Sequence, residues 1–236
     1  MAKERVLLKI SGESLSGEGK TGHDRKAMDF LAKEILTVKD LFELAIVVGG
    51  GNLIRGTTLK KEVLLQDGVV ADYAGMVATI INAAVFQNVL EEDFGLETRV
   101  ASALEVKEVA ELFIRRKVIS HLNKGRVVLL AAGTGKPDFS TDTAMVLNAH
   151  EIGAKIILKG TKVDGIFDRD PKKDDAAVLI PNISYIDYLN RNLNIVDTTA
   201  VTLARNHSLR IKVFNIFKEG NLRKILTGEN IGSEIS

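Results

Sequence analysis

The stretch 127–142, VVLLAAGTGKPDFSTD, decides the fold of this chain. Its first six residues are an unbroken apolar run without polar alternation, which is typical of a strand buried on both faces of a parallel sheet. A polar loop with two glycines follows at once. Asp142 stands where an N-cap would begin the next helix, predicted over residues 143–151. This strand–loop–helix order indicates an α/β protein.

The loop after this strand carries groups suited to a ligand. Thr134, Ser140 and Thr141 offer hydroxyls, and Gly133 and Gly135 allow close approach to the backbone. In open α/β sheets, ligands lie beyond the carboxyl ends of the strands, against helix N-termini that favour anions. We therefore predict a small anionic ligand here. The alternative is a plain connection between strand and helix that binds nothing.

Strands and helices alternate along the rest of the chain, with no internal repeat or linker-like segment. This pattern predicts one domain over residues 1–236, a three-layer αβα sandwich with a mainly parallel central sheet. Further strands are predicted at 5–10, 44–48, 98–101, 155–158 and 211–215, and further helices at 24–42, 69–90, 106–122, 184–192, 197–207 and 222–226.

Composition excludes several kinds of site. The 236 residues carry 32 basic and 31 acidic side chains, so the net charge of +1 gives no reason to expect nucleic acid or a membrane as partner. The absence of cysteine rules out disulfides and thiolate chemistry. The amino end enters a strand without a signal-peptide core, and no apolar run reaches the roughly 18 residues of a membrane span. We expect a cytoplasmic protein.

Lys9 lies inside a short apolar strand that breaks into a glycine-rich loop. A lysine at such a position faces either a site or the solvent at a sheet edge, and the glycine loop favours a site. Gly19-Lys20-Thr21 imitates the end of a phosphate-binding G-x-x-x-x-G-K-[ST] loop. Ser14 occupies the place of the required first glycine, so we reject that interpretation.

Three consecutive glycines, Gly49 to Gly51, follow the next buried strand. They cost backbone entropy without a packing benefit, which indicates close approach of the backbone to a ligand. Arg55 follows and offers a fork for phosphate or carboxylate, although a lone loop arginine is more often solvated.

The segment 69–90 is too apolar for a one-sided surface helix, so we expect it to be buried on most sides, either deep in one domain or, as we favour, against another subunit. Asp72 near its start either complements the helix dipole or accepts hydroxyl groups of a sugar. The segment 159–171 either forms a solvated acidic turn, or its two lysines and its Gly-Ile-Phe sequence hold the phosphates and base of a nucleotide.

Six segments together resemble the bacterial uridylate (UMP) kinase family, which has the amino-acid-kinase fold. The resemblance spans nearly the whole chain in order. The segments are LLKISGE (7–13), GGGNLIRG (49–56), AGTGKP (132–137), STDTA (140–144), KVDGIFDRDP (162–171) and TLARNH (202–207).

The resemblance implies transfer of the γ-phosphoryl group of ATP to UMP with Mg²⁺, in pyrimidine nucleotide biosynthesis. It implies three catalytic residues, Lys9, Arg55 and Asp142, with Asp142 orienting the lysine and the metal–phosphate assembly. The implied ATP-binding residues are Lys9, Ile10, Ser11, Gly12, Gly51, Arg55, Thr161, Phe167 and Asp170. The implied UMP-binding residues are Gly50, Asp72, Thr134, Gly135, Lys136, Pro137, Asp138, Phe139, Ser140 and Thr141, with Asp72 on the ribose hydroxyls.

The same resemblance implies that residues 1–150 mainly bind UMP and that residues 151–236 mainly bind ATP. It implies that Mg²⁺ arrives with ATP rather than on a protein metal site. It also implies that the protein assembles as a homohexamer. The segment 17–22 aligns with a region linked to activation by GTP, so GTP and UTP are candidate allosteric effectors. Lys136 and Asp138 depart from the asparagine and aromatic residue that relatives commonly have there.

Two other functions remain open from the sequence. One is a kinase of the same fold for a small acyl substrate such as carbamate or an N-acetylated amino acid. The other is a non-catalytic nucleotide-binding protein. Asp72 beside the glycine loop favours a nucleotide acceptor, and the combination of Lys9, Arg55 and Asp142 favours catalysis.

Overall fold

A computed structural model describes residues 3–17, 21–54, 67–171 and 173–236 of the chain. The strands are β1 Glu4–Ile10, β2 Phe42–Val48, β3 Thr98–Ser102, β4 Glu111–Leu112, β5 Val127–Ala131, β6 Ile156–Thr161, β7 Ile166–Phe167, β8 Leu179–Ile180, β9 Asn182–Ile183, β10 Arg210–Asn215 and β11 Ser233–Ile235. The α-helices are α1 Arg25–Leu36, α2 Gly68–Asn88, α3 Arg115–Asn123, α4 Thr141–Ile152, α5 Tyr185–Asn190, α6 Thr198–Asn206 and α7 Asn221–Leu226.

Within the described residues, nine strands form one sheet in the order β4-β3-β5-β2-β1-β6-β10-β11-β9. The pair β10 and β11 is antiparallel, and the other neighbouring pairs of this sheet are parallel. β7 and β8 form a separate antiparallel hairpin. The carboxyl ends of β1, β2, β5 and β6 therefore meet at one edge in the middle of the sheet. This edge is where an open α/β sheet binds its ligands.

Helices cover both faces of the sheet. One apolar cluster joins α1, α2 and α7 to alternate residues of the strands, including Leu8 and Leu129. The other joins α3, α4, α5 and α6 to the opposite face, including Leu7 and Leu130. The predicted three-layer αβα architecture is confirmed. The prediction that 127–132 is buried on both faces is also confirmed, since every residue of β5 is buried.

The helix predicted over 24–42 is too long. Asp24 is its N-cap, with the side chain accepting a hydrogen bond from the Ala27 amide at 2.7 Å, as expected. The helix ends at Leu36, and a turn leads into β2 at Phe42. Val38 and Phe42 return to the core through this turn, so their spacing imitated a longer helix.

The amphipathic helix predicted over 106–122 is wrong in its first half. Residues 106–110 form turns, β4 pairs with β3, and α3 begins at Arg115. Pairing at the edge of the sheet replaces the helix here. Val109 and Leu112 lie in this first half and are 49% and 45% exposed.

The helix predicted over 69–90 is present as α2, followed by a π-helical turn over Val89–Asp93. Its inner face is buried on the sheet. The expectation of burial on most sides fails for the single chain, because Val70, Tyr73, Val77 and Ile81 are 40–50% exposed on its outer face. The expectation that no apolar run reaches the length of a membrane span is wrong for this helix. Among the described helices, the 68–93 segment is long and apolar enough to span a membrane by length and composition, with 44% of its most apolar window buried inside the chain.

Candidate functional site

Two lysines and one aspartate meet at the carboxyl edge of the sheet. Lys9 on β1 and Lys159 on β6 are direct partners in the parallel register. Their side chains therefore lie side by side on the face that α4 covers. Lys9 Nζ lies 2.9 Å from Asp142 Oδ1, and Lys159 Nζ forms an ion pair with Asp142 Oδ2. We call Lys9, Asp142 and Lys159 the lysine–aspartate cluster.

The lysine–aspartate cluster is almost completely buried, since its three residues are 7–9% exposed. Burial alone would raise the pKa of Asp142, but the charges of Lys9 and Lys159 hold that pKa below its usual value. Burial and the nearby charge of Lys9 lower the pKa of Lys159 to about 8, against the opposing effect of Asp142. When both lysines are protonated, the cluster carries one net positive charge in a site of low polarity.

The first turn of α4 differs from the sequence prediction. Ser140, not Asp142, is the N-cap, and its Oγ accepts hydrogen bonds from the amides of Asp142 and Thr143 at 3.0 and 3.2 Å. The helix consequently begins at Thr141. Because the cap is two residues earlier than predicted, Asp142 lies inside the first turn of the helix. From there its carboxylate reaches both Lys9 and Lys159.

A segment that was not predicted to be part of the site completes the cluster. The Ile195 carbonyl accepts a hydrogen bond from Lys159 Nζ, and the Asp197 amide donates to Asp142 Oδ2 at 3.4 Å. The Asp197 carboxylate accepts from Ser140 Oγ and caps α6 through the Ala200 amide at 2.7 Å. In the sequence, Asp197 was only the first residue of the helix predicted over 197–207, and no local pattern links it to Asp142.

The glycines at the ends of β1 and β2 pack against each other. A Cβ on Gly12 would lie 2.7 Å from the Gly51 amide nitrogen and 2.8 Å from the Gly49 carbonyl oxygen. A Cβ on Gly50 would lie 2.8 Å from the Gly75 carbonyl of α2. The prediction that the three consecutive glycines bring no packing benefit is therefore wrong for Gly49 and Gly50, which must be small for protein packing. A Cβ on Gly51 would meet nothing within 4 Å.

Helix α2 holds the triple-glycine loop through a buried amide. Asn82 Nδ2 donates to the Gly49 carbonyl and to Asn52 Oδ1, both at 2.7 Å. Asn82 Oδ1 in turn lies 2.8 Å from His23 Nε2. Asn82 and Asn52 are at most 1% exposed. The polar groups of the loop are thus satisfied inside the protein, as buried polar groups require.

Helix α2 also fixes the loop that follows β5. Thr79 Oγ1 accepts a hydrogen bond from the Ala132 amide at 2.6 Å, and Asp72 Oδ2 accepts from the Asp138 amide at 2.9 Å. Ala132 and Asp138 both have positive φ, 64° and 67°, conformations that non-glycine residues seldom adopt. Such strain persists only where surrounding contacts enforce it, and it is concentrated at functional sites.

Two loops and α2 enclose a cavity of about 170 Å³. Of the residues assigned to UMP, it contains Gly50, Asp72, Phe139 and Thr141, and the ATP-assigned Gly51 also lines it. Thr134 lines a smaller neighbouring cavity of about 90 Å³. The other five residues assigned to UMP lie on the same loop but line neither cavity: Gly135, Lys136, Pro137, Asp138 and Ser140.

A larger cavity of about 590 Å³ lies beside the β7–β8 hairpin. Phe167 and Asp170, assigned to ATP, line it. Its opposite wall is the segment 191–195, which leads directly to Ile195 and the lysine–aspartate cluster. Thr161 lies at the end of β6 and donates to the Val163 carbonyl at 2.7 Å, at the start of the loop that reaches this cavity.

The remaining assigned residues differ in what they can offer. Ile10 is buried in the core, and its carbonyl accepts from the Gly49 amide at 2.9 Å. Ser11 Oγ lies 3.0 Å from Ser14 Oγ. Arg55 and residues 18–20 of the candidate effector segment lie outside the described residues. In the described part of the chain, no three histidine, aspartate or glutamate side chains are grouped so as to hold a metal ion.

The arrangement is suited to positioning two anionic ligands. A cationic cluster lies at the edge of the sheet, and the linings of the two cavities lead to it through the loops after β5 and β6. The N-terminus of α4, with a partial positive charge, lies at the same place. The lysine–aspartate cluster supplies fixed cations, and neither the cluster nor the described linings of the two cavities include a histidine, so the site favours charge stabilisation over proton transfer.

Comparison with known proteins shows the same architecture in relatives. Residues 4–215 match the model of the Amino acid kinase family. The chain is 49% identical over 233 residues to a uridylate kinase of Wolinella succinogenes, which covers 97% of this chain and 94% of the relative. It superposes on UMP kinase from Bacillus anthracis with a TM-score of 0.94 and 35% identity, covering 100% of this chain and 97% of the other. Superposition on UMP kinase from Ureaplasma parvum gives a TM-score of 0.93 and 32% sequence identity, with 100% of both chains covered.

Proposed function

This chain belongs to the amino acid kinase family, and we propose that its lysine–aspartate cluster is where the γ-phosphoryl group of ATP passes to UMP. The chain is a nucleoside monophosphate kinase that phosphorylates UMP, giving UDP and ADP. The observation that carries the proposed site is the in-register pair Lys9 and Lys159, with Asp142 between their ammonium groups.

The reaction requires positioning and charge stabilisation. The acceptor phosphate has a second pKa of about 6, so at pH 7 it is already ionised and needs no general base. The difficulty is to bring two polyanions together and to stabilise the charge of the transferring group. Lys9 and Lys159 supply fixed charge, and Asp142 fixes the direction in which both ammonium groups point.

We assign the two cavities to the two nucleotides. The cavity lined by Gly50, Asp72, Phe139 and Thr141 is the proposed UMP site, with Asp72 on the ribose hydroxyls. The cavity lined by Phe167 and Asp170 is the proposed ATP site. This assignment supports the proposed division of labour, in which residues 1–150 mainly bind UMP and residues 151–236 mainly bind ATP. Arg55 is proposed to act between the two phosphate groups.

Mg²⁺ is proposed to enter with ATP. When bound, it neutralises phosphate charge during transfer. Mg²⁺ keeps several waters and binds through substrate phosphates and at most one or two carboxylates. The donor set of the site fits this mode, since both Asp142 oxygens already face lysines and no carboxylate cage occurs among the described residues. The residues of the chain therefore position the phosphates rather than hold the ion alone.

The outer face of α2 supports a proposal of self-association. Val70, Tyr73, Val77 and Ile81 recur at spacings of three and four residues and form one exposed apolar stripe. We propose that this stripe is buried against a second copy within a homohexamer. Regulation by GTP or UTP and a cytoplasmic location also remain proposals.

An acceptor panel tests the proposed function. ADP release from Mg-ATP is measured in parallel with UMP, CMP, dUMP, carbamate, an N-acetylated amino acid and no acceptor. Strong UMP-dependent turnover is expected. Turnover only with an acyl acceptor would instead indicate a kinase of the same fold that acts on a small acyl substrate. Tight ATP binding without turnover on any acceptor would indicate a non-catalytic nucleotide-binding protein.

A further inference from the structure

Tyr188 is the largest fully buried side chain of the described residues, yet its hydroxyl is polar and must find partners inside the protein. It lies on the short helix α5, outside both cavity linings and outside all six family-like segments. Its hydroxyl accepts a hydrogen bond from the Val196 amide at 2.7 Å and donates one to the Val196 carbonyl at 2.9 Å. One phenol oxygen therefore holds both backbone groups of a single residue.

The position of Val196 gives this contact its importance. Ile195, immediately before it, supplies the carbonyl that accepts from Lys159 Nζ. Asp197, immediately after it, supplies the amide that donates to Asp142 Oδ2 at 3.4 Å. The three consecutive residues 195–197 thus contact, in turn, Lys159, the tyrosine hydroxyl and Asp142. The same segment continues backward into the wall of the 590 Å³ cavity.

Burial supports a fixed rather than a mobile contact. Tyr188 and Val196 are both 0% exposed. Burial raises the pKa of Tyr188 to about 12, and the carboxylates of Asp142 and Asp197 add to this effect. The hydroxyl therefore stays protonated and keeps its donor throughout the working range of pH. The nearby loop residue Asn192 has a positive φ of 51°, so the segment adopts a conformation that needs external support.

From these contacts we propose that Tyr188 is a positioning residue for phosphoryl transfer: its hydroxyl clamps Val196 and so holds the Ile195 carbonyl on Lys159 and the Asp197 amide on Asp142. This inference rests on the proposed function, because the lysine–aspartate cluster is the part of the site that Tyr188 orients. Tyr188 touches no substrate in this scheme and acts through the segment 195–197.

Helix α5 also offers a matched control. Tyr185 lies on the same helix, and its hydroxyl donates to the Leu209 carbonyl at 2.9 Å, near the start of β10. Tyr185→Phe and Tyr188→Phe each remove one phenol oxygen and leave the ring in place. Only the second change releases the segment that contacts the lysine–aspartate cluster.

The test compares both variants with the wild type in UMP-dependent turnover. Tyr188→Phe should lower kcat about tenfold or more, because small displacements of reacting groups are costly, while the KM for UMP stays within about twofold of the wild-type value. The alkaline limb of kcat/KM for ATP should also move to lower pH, since Lys159 loses a carbonyl that stabilises its ammonium form. Tyr185→Phe should change neither. Equal losses in the two variants, or a Tyr188→Phe enzyme with wild-type kcat and pH profile, would overturn the inference.

Hydrogen exchange gives a second measurement that does not depend on turnover. A peptide covering residues 191–197 should exchange faster in Tyr188→Phe and at the wild-type rate in Tyr185→Phe. If Tyr188→Phe does not fold, hydrogen exchange of the wild type alone tests the inference. The Val196 amide should then exchange as slowly as amides of β10, and rapid exchange would contradict its hydrogen bond to the Tyr188 hydroxyl. An inactive wild type with a protected Val196 would count against the proposed function, whereas an active one with an unprotected Val196 would count against Tyr188.

Discussion

Lys159 shows how the environment of a single residue defines its role. The sequence placed it at the end of a buried strand but offered no partner for it. The structure gives it Asp142, the Ile195 carbonyl and a direct neighbour in Lys9. Burial and the charge of Lys9 lower its pKa to about 8, so its charge becomes sensitive to pH in a range where most lysines stay protonated.

This pKa predicts a pH dependence for catalysis. As pH rises through about 8, Lys159 of the free enzyme loses its proton, so kcat/KM for ATP should fall on the alkaline side. Lys159→Arg should abolish that limb even if the overall rate is lower, because arginine stays charged. Lys155→Arg, at an exposed position just before β6, is the control. An unchanged alkaline limb in Lys159→Arg would assign it to another group.

The same pKa affects stability in a defined direction. Below pH 8 the lysine is protonated in both folded and unfolded chains, and the cost of burying its charge is fully present. Between about 8 and its ordinary value of 10.5, the unfolded chain binds more protons than the folded chain. The contribution of Lys159 to the free energy of unfolding therefore rises with pH across that window.

At the scale of elements, α2 holds both loops that line the proposed UMP site. Asn82 holds the triple-glycine loop, while Thr79 and Asp72 hold the loop after β5. The apolar composition of α2 predicted its burial but concealed this role, since its polar residues contact loops far away in sequence. Conversely, the first half of the helix predicted over 106–122 was wrong because pairing of β4 at the sheet edge cannot be read from residue spacing, whereas the second half is present as α3.

Two substitutions can separate the two roles of Asp72, which are holding the loop after β5 and binding the ribose hydroxyls. Asp72→Asn keeps an oxygen for the Asp138 amide but removes the charge that would bind ribose hydroxyls. It should raise the KM for UMP about tenfold or more with little effect on kcat, because a hydrogen bond to a charged group contributes about 1.5–3 kcal/mol. Asp72→Ala also releases the loop and should lower kcat as well. Asp93→Asn, in a surface ion pair with Arg25, is the control. An unchanged KM for UMP would place the ribose elsewhere.

At the scale of the whole molecule, alternation of strands and helices correctly predicted a parallel sheet between two helix layers. Apolar runs without alternation located β2 and β5 because both of their faces are buried. The order of the strands, which brings Lys9 beside Lys159, depends on contacts between distant segments and was not predictable from local pattern. For the same reason Ile195 and Asp197 were not predicted to lie beside Lys9 and Asp142, whose motifs alone made them candidate site residues.

The exposed stripe of α2 gives a prediction about assembly. Ile81→Glu should place a charge in the proposed interface between copies and yield smaller particles than the wild type, as measured by analytical ultracentrifugation. Ile186→Glu, at a 57% exposed position on α5, should keep the wild-type mass. A monomeric wild type, or an Ile81→Glu variant with the wild-type mass, would show that this stripe is not an interface.

The most direct test of the central claim is UDP formation from Mg-ATP and UMP by the wild type and by Asp142→Asn, with Asp187→Asn on α5 as control. The neutral amide introduced by Asp142→Asn can no longer direct two ammonium groups by charge. Turnover should therefore fall about 100-fold or more, as when preorganised charge is removed from other active sites. The control should retain the wild-type rate. Wild-type turnover in Asp142→Asn would contradict the assignment of phosphoryl transfer to the lysine–aspartate cluster.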